Sequence, residues 1–238
     1  MKSSRMIAGL LAMLVADQQF VRAEEGEVKS REAMVRNQLA AGGIRDQKVL
    51  EAMREVPRHE FVPMPLRPYA YADGPLPIGH GQTISQPFIV AYMTQALDLK
   101  PTDTVLEVGT GSGYQAAILG KLAKEVYTIE IVPPLAESAK ATLTRLGFGN
   151  VHVKEGDGYL GWPEKAPFDA IIVTCAPENV PAPLVSQLKE GGRLVIPIGE
   201  AGGVQELVLL RKKDGKISKE RMIDVRFVPM TGKAANGD

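Results

Sequence analysis

Cysteine is almost missing from this chain: Cys175 is the only one in 238 residues. That rules out an intrachain disulfide and leaves no cysteine-based zinc cluster to expect. Its surroundings, IIVTCAP, are apolar, which reads as a buried thiol beside a strand end more readily than as a nucleophile. Histidine is nearly as scarce. His59, His80 and His152 are widely separated and make no compact ligand pattern, so no metal is expected, and His59 and His152 read as structural. Excess charge is absent too: Lys plus Arg total 28, as do Asp plus Glu, so nothing suggests a field that would gather nucleic acid. The apolar stretch from Met6 to Ala16 is too short for a confident membrane span, and no stable membrane partner is expected.

What remains is an ordinary globular composition, 45% apolar and 24% charged, long enough for one domain with an elaboration. The first 23 residues stand apart. Lys2 and Arg5 precede the apolar stretch, and Val21-Arg22-Ala23 offers a small-residue cleavage pattern, the outline of a secretory signal. A leader over 1–23, an N-terminal helical and loop region over 30–100, a core over 101–230 and a tail over 231–238 are the expected divisions.

Residues Ser30 to Ala41 suit a short amphipathic helix stopped by Gly42-Gly43, and Asp46 can cap a second helix whose Val49, Leu50, Met53 and Val56 form an apolar stripe ending near Pro57. Seven prolines between Pro57 and Pro87 then forbid regular helix, and a connection of that length suggests a lid or binding loop. Pro87 starts another helix. Beyond it strands and helices alternate. Strands are expected at Thr104 to Val108, Val126 to Glu130, Val151 to Lys154, Ala170 to Thr174 and Arg193 to Ile198. Helices are expected at Tyr114 to Leu122, Leu135 to Leu146 and Pro183 to Leu188. That order predicts an α/β fold with a mainly parallel sheet, and Gln205 to Arg211 with Arg221 to Val228 would add an antiparallel edge pair around Asp214-Gly215.

The first core strand runs into VLEVGTGSGY. Gly109, Gly111 and Gly113 let the backbone turn sharply and approach a ligand, and the helix that follows presents unpaired N–H groups. Glu130 ends the second strand, where its two oxygens suit the hydroxyls of a ribose. Glu107 would complement a cofactor ammonium, or else be a solvated strand-end carboxylate. Asp157, in Gly156-Asp157-Gly158, suits an adenine amino group with Tyr159 and Trp162 covering the base, or else makes a simple Asp-Gly turn. Together these point to a nucleoside cofactor. The shifted spacing Gly111-x-Gly113-x-x-Ala116 also fits a dinucleotide pattern, so an NAD-dependent oxidoreductase stays open from the motif alone.

With PLPIGHGQTISQP upstream, GDGYLGWPEKAPFDAIIVT and LKEGGRLVIPIG in the core and VRFVPM near the end, the chain resembles the protein-L-isoaspartate O-methyltransferases over roughly Arg31 to Met230. The resemblance implies a class I S-adenosylmethionine-dependent methyltransferase core, a Rossmann-like doubly wound sheet with an N-terminal helical extension and modified C-terminal strands. It implies S-adenosylmethionine as methyl donor and isoaspartyl-containing proteins and peptides as acceptors. It assigns Glu107, Gly109 and Gly111 to the cofactor loop, Glu130 to the ribose and Asp157 to the adenine side. Thr83 and Ser85 fall in the substrate loop, with Ser85 at the active-site serine position and His80 nearby. Phe88 departs from the pattern, since many relatives carry histidine there.

Isoaspartate exposes a free α-carboxylate that is already anionic near neutral pH, so a strong general base is unnecessary and Ser85 is expected to align the acceptor. A small-molecule methyltransferase and a non-enzymatic peptide-binding module are the other readings. The family setting and the supply of the donor favour the cytoplasm, whereas the leader leaves export open. The complete motif set in one chain suits a monomer.

Overall fold

The computed structural model describes residues 24–232, so the leader over 1–23 and all of the tail beyond Gly232 lie outside the described residues. The chain is already helical at residue 24, ahead of the expected start at Ser30. Helix α1 covers 24–40, and its last part, Val35–Ala40, widens to a π pattern that buries Val35 and Leu39. Helix α2, Gln47–Glu55, is capped by Asp46, whose side chain accepts from the Lys48 N–H at 2.9 Å. Val49, Leu50 and Met53 are buried as their spacing requires.

The proline-rich segment holds more order than its composition suggests. Two 3-10 turns, Arg58–Phe61 and Met64–Tyr69, lead to a two-stranded hairpin, β1 Leu76–Gly79 with β2 Gln82–Ile84, in which Pro77 faces Thr83. A proline is tolerated there because the short hairpin has open edges that need no N–H from it. Arg58 fastens this segment to the core. It is fully buried, its Nε donates to the Ala70 carbonyl at 2.7 Å, and its guanidinium lies 5.0 Å from the centre of the Tyr114 ring. Burial pulls its pKa down to about 10, still charged at neutral pH.

Helix α3, Pro87–Ala96, leads to the main sheet. Its strands are β3 Thr104–Val108, β4 Glu125–Glu130, β5 Val151–Glu155, β6 Phe168–Val173, β7 Leu188–Ile198, β8 Gln205–Lys213 and β9 Lys216–Val225, in the spatial order β5-β4-β3-β6-β7-β8-β9. The first five are parallel, and β8 and β9 are antiparallel additions. Side chains alternate along β3: Val105 joins a core layer with Met93 and Leu119, and Leu106 and Val108 join the opposite layer with Ile171 and Leu184. Helices α3, α4 (Tyr114–Leu122) and α5 (Pro133–Arg145) cover one face. Among the described residues the other carries only the five-residue α6, Ala182–Ser186, with short 3-10 turns. The Rossmann-like doubly wound sheet is therefore present with one face thinly clad.

The chain winds outward from β3 through β4 to β5, then returns across to β6 on the other side of β3. That reversal opens a crevice at the carboxyl ends of β3, β4 and β6, where open α/β sheets bind ligands. Among the described residues no helix is long and apolar enough to cross a membrane.

Candidate active site

A cleft occupies that crevice. Its floor is the loop after β3, its sides are the ends of β4 and β6, and its roof is formed by β2 and residues 228–231. The roof segment is held across the strand ends by the Ala176 N–H donating to the Val228 carbonyl at 2.8 Å and the Met230 N–H donating to the Ala176 carbonyl at 2.9 Å. In the sequence VRFVPM carried part of the resemblance and its first residues fell in an expected edge strand, with no place at a cleft assigned to it. β9 ends at Val225, and Pro229 forms an isolated bridge with Ala176 that carries the chain over the cleft.

The three glycines of the loop do different work. Gly109, at φ +97°, lies against Thr174, and a β-carbon there would collide with the threonine hydroxyl, which itself donates to the Gly109 carbonyl at 2.6 Å. Gly111 lines the cleft and donates its N–H to Glu130 Oε2 at 2.7 Å. Gly113 does not line the cleft. It sits at the start of α4 with φ +88°, where a β-carbon would press on Leu143 and Ala139 of α5. Its place in the expected cofactor set becomes one of helix packing. Having no side chain, it also leaves the start of α4 without a side-chain cap where Tyr114 and Gln115 face the cleft.

Of the carboxylates, Glu130 is in the expected place. It is 5% exposed on the cleft wall, with Oε1 accepting from the Val132 N–H at 3.0 Å and Oε2 from Gly111. Those bonds orient it and leave a lone pair on each oxygen for a ribose. Glu107 is not a solvated strand-end group. It is completely buried behind the loop, next to Thr128 across the β3–β4 ladder. The Thr128 hydroxyl is committed to Thr110 at 2.6 Å, and neither Glu107 oxygen finds a hydrogen bond of good geometry among the described residues. Burial pushes its pKa up to about 8, with the Glu130 charge pushing the same way and Thr128 partly opposing. Asp157 accepts from the Tyr159 N–H at 3.0 Å and packs against Gly232, and the cleft wall there is its neighbour Gly158.

The aromatic cover expected beside Asp157 is not formed. Trp162 packs edge-on to Tyr127 at 5.3 Å and under Lys154, and the Tyr159 hydroxyl turns to the Met230 carbonyl. Ile131, Val132 and Met230 supply the apolar wall in their place. These were missed because an exposed Ile-Val after a strand carries no motif.

On the acceptor side, Ser85 is half-buried and its hydroxyl has no hydrogen-bond partner among the described residues. Thr83 and Ser85 line both the cleft and a second, outer groove that adjoins it. His80 is brought to neither: it sits exposed in the tight turn of the β1–β2 hairpin at φ +54°. Phe88 also lies outside both. Its ring stacks on Tyr92 at 5.7 Å and fills the space beside Gly42, which packs the N-terminal region. Cys175 lines the cleft, but burial and the neighbouring Glu130 and Glu107 push its thiol to about 12, which keeps it protonated. His59 bonds the Tyr71 hydroxyl at 2.7 Å and His152 bonds Glu125 at 2.7 Å, and among the described residues no cluster could hold a metal.

The residues present suit S-adenosylmethionine. A buried carboxyl with no hydrogen bond of good geometry behind the loop suits a cation, the uncapped start of α4 suits a carboxylate, and Glu130 suits a ribose. A β-carbon at Gly109 would collide with Thr174, whereas one at Gly111 would only reach contact with Ile78 of β1.

Comparison with known proteins agrees. The model of the family described as Protein-L-isoaspartate(D-aspartate) O-methyltransferase (PCMT) matches residues 29–235. A protein-L-isoaspartate O-methyltransferase of Opitutus terrae is 57% identical over 226 residues, spanning 95% of this chain and 96% of its own. A protein-L-isoaspartate O-methyltransferase 2 of Nitrosococcus oceani is 59% identical over 189 residues, 79% of this chain and 86% of its own. Among solved structures, one from Plasmodium falciparum, described as a protein-L-isoaspartate O-methyltransferase in complex with S-adenosyl-L-homocysteine, superposes with a TM-score of 0.74 at 31% identity. It spans 84% of this chain and 98% of that one.

Proposed function

The chain belongs to the protein-L-isoaspartate O-methyltransferase family, and on that premise we propose that Ser85 aligns the acceptor carboxylate at the junction of the cleft and the outer groove. The enzyme transfers a methyl group from S-adenosylmethionine to the free carboxylate of isoaspartyl residues. The observation that carries the residue assignment is that Thr83, Ser85, Thr174 and Val228 are shared by the two cavities, so a group held at Ser85 faces the cleft from the groove.

When bound, S-adenosylmethionine supplies a methyl group made electrophilic by its sulfonium. The protein's own work is placement. Glu130 and Gly111 fix the ribose end, and Glu107, whose burial behind the loop raises its pKa to about 8, ionises to become the counter-charge when the cation binds. The Ser85 hydroxyl donates to one oxygen of the acceptor, leaving the other free to attack. One neutral donor is suited to this task, because the acceptor's charge disappears as the ester forms and stronger stabilisation of the anion would raise the barrier. No general base is required, consistent with the protonated Cys175 and the remote His80. The methyl ester is a better leaving group than the carboxylate, so the next backbone nitrogen can close on it, expel methanol and give the succinimide through which normal aspartate is recovered.

The assignment of Ser85 is tested by Ser85→Ala. One hydrogen bond to a charged group is worth about 1.5–3 kcal/mol, so kcat/KM for an isoaspartyl peptide is expected to fall roughly 10- to 100-fold. The dissociation constant for S-adenosylhomocysteine should move less than about threefold. A kcat/KM within threefold of the parent enzyme would remove Ser85 from the site. Both the cofactor loop and the Ser85 loop on the cleft wall come from the same chain, which supports a monomeric active unit. The intracellular supply of the donor supports the cytoplasm as the working compartment.

A further inference from the structure

The outer groove continues past Ser85 between β2, α3 and the end of β9, and it has two kinds of wall. Ile89, Val204 and Phe227 are apolar, and Val204 is 55% exposed without a covering neighbour. Among the described residues the only charged side chains on the wall are Asp224 and Arg226. Asp224 is already neutralised: Arg221 Nη2 lies 2.7 Å from its Oδ1. Arg221 and Lys219 also share Glu206, at 2.9 and 3.1 Å, so that patch of β8 and β9 balances two cations against two carboxylates. Arg226 stands outside the balance. It is exposed, and among the described residues it has no ion pair or hydrogen bond. The groove therefore carries one uncompensated, planar, bidentate donor beside apolar surface that can support its stem.

The position of Arg226 decides what it meets. It lines the outer groove and not the cleft, whereas the reacting carboxylate must sit at Ser85, where the two cavities join. A substrate group that reaches Arg226 is thus beyond the reacting carboxylate along the peptide. We infer that Arg226 is a specificity-determining residue that receives the carboxylate of an aspartyl or glutamyl side chain flanking the isoaspartyl residue. The enzyme thereby favours damaged sites in acidic sequence. This rests on the function proposed above.

The test uses the full chain and isoaspartyl peptides identical except that the residues flanking the isoaspartate are Glu, Ser or Lys, with kcat/KM measured for each. An exposed carboxylate–guanidinium contact is modest, so the parent enzyme should favour the Glu peptide over the Ser peptide by about threefold and over the Lys peptide by roughly tenfold, with the gap narrowing in high salt. Arg226→Lys should keep the order and Arg226→Glu should invert it. Because each ratio is taken within one variant, a smaller folded fraction cancels. Equal rates on all three peptides by the parent enzyme, or an unchanged order in Arg226→Glu, would overturn the inference while leaving the methyltransferase reading intact. Failure of the parent enzyme on every isoaspartyl peptide would overturn both.

Discussion

Gly109→Val is expected to abolish cofactor capture while the protein still folds. The backbone at Gly109 holds φ +97°, a conformation that costs a β-branched residue on the order of 1–3 kcal/mol. The added carbons would also strike the Thr174 hydroxyl. That hydroxyl cannot simply swing away, because it donates to the Gly109 carbonyl at 2.6 Å, with the Val108 carbonyl also in reach at 3.0 Å, tying the end of β6 to the loop. The loop must shift instead, and with it the Gly111 N–H that orients Glu130. We expect the affinity for S-adenosylhomocysteine, measured by calorimetry, to fall at least about 100-fold, or roughly 2.7 kcal/mol. Gly147→Ala is the control: Gly147 has φ +81° with open space around it, so the variant pays backbone strain and leaves affinity alone. Affinity within threefold of the parent in Gly109→Val would show that the loop does not touch the donor.

Glu107→Gln is expected to make the ligand-free protein more stable and the enzyme worse. The Glu107 carboxyl, ordinarily near 4.5, is pushed to about 8 in the folded chain. The folded state therefore binds its proton more tightly than the unfolded state, and stability falls as pH rises from about 4.5 to 8 and is lowest above that. At about 1.4 kcal/mol per pH unit the ceiling is about 5 kcal/mol, and relaxation around the buried group brings the expectation to roughly 2–4 kcal/mol. At pH 8.5 the glutamine variant should exceed the parent by that amount in denaturant unfolding, with the difference shrinking toward pH 5. Loss of a carboxyl that can ionise against the bound cation should weaken S-adenosylmethionine binding about tenfold or more. Parallel stability curves for the two proteins between pH 5 and 8.5 would mean that Glu107 is not the strained group described here. The exchange of stability for binding is one that functional sites commonly make.

Much of this arrangement was legible in the sequence, and the reasons for the exceptions are local. β3 and α4 were bounded correctly because the glycine run cleanly separates a five-residue apolar strand from a helical pattern. β7 was expected from Arg193 but begins at Leu188, since Glu190-Gly191-Gly192 reads as a turn while pairing with β6 continues through a register shift near Phe168. The β1–β2 hairpin was hidden by Pro75, Pro77, Gly79 and Gly81, which suggest pure loop, although a short open-edged hairpin tolerates them. β9 begins at Lys216, earlier than expected, and stops at Val225, because Phe227 leaves the ladder to donate its N–H to the Gln205 side chain at 2.8 Å and starts the roof of the cleft.

The site divides the same way. The places of Glu130 and Gly111 on the cleft wall were readable because both follow from position relative to a strand end. Ser85 and Thr83 were assigned by family resemblance, and the hairpin explains their place, since β2 carries Thr83 to the rim of the cleft and Ser85 follows directly after it. Burial of Glu107 could not be read from an alternating strand in which a carboxylate looks like an outward residue. His80 and Gly113 sit in motifs close to the site, yet a left-handed turn in one case and contact with α5 in the other direct them away from it.

The central claim is that a methyl donor in the cleft and an isomerised peptide carboxylate in the groove meet at Ser85. The direct measurement is transfer of labelled methyl from S-adenosylmethionine to two peptides that differ only in whether one residue is isoaspartyl or aspartyl. Base-labile methyl ester should form on the isoaspartyl peptide at least about 100-fold faster, and the sign would be reversed or the difference lost if the groove did not read the displaced carboxylate. Equal labelling of both peptides, or of neither while the donor still binds, would contradict the account.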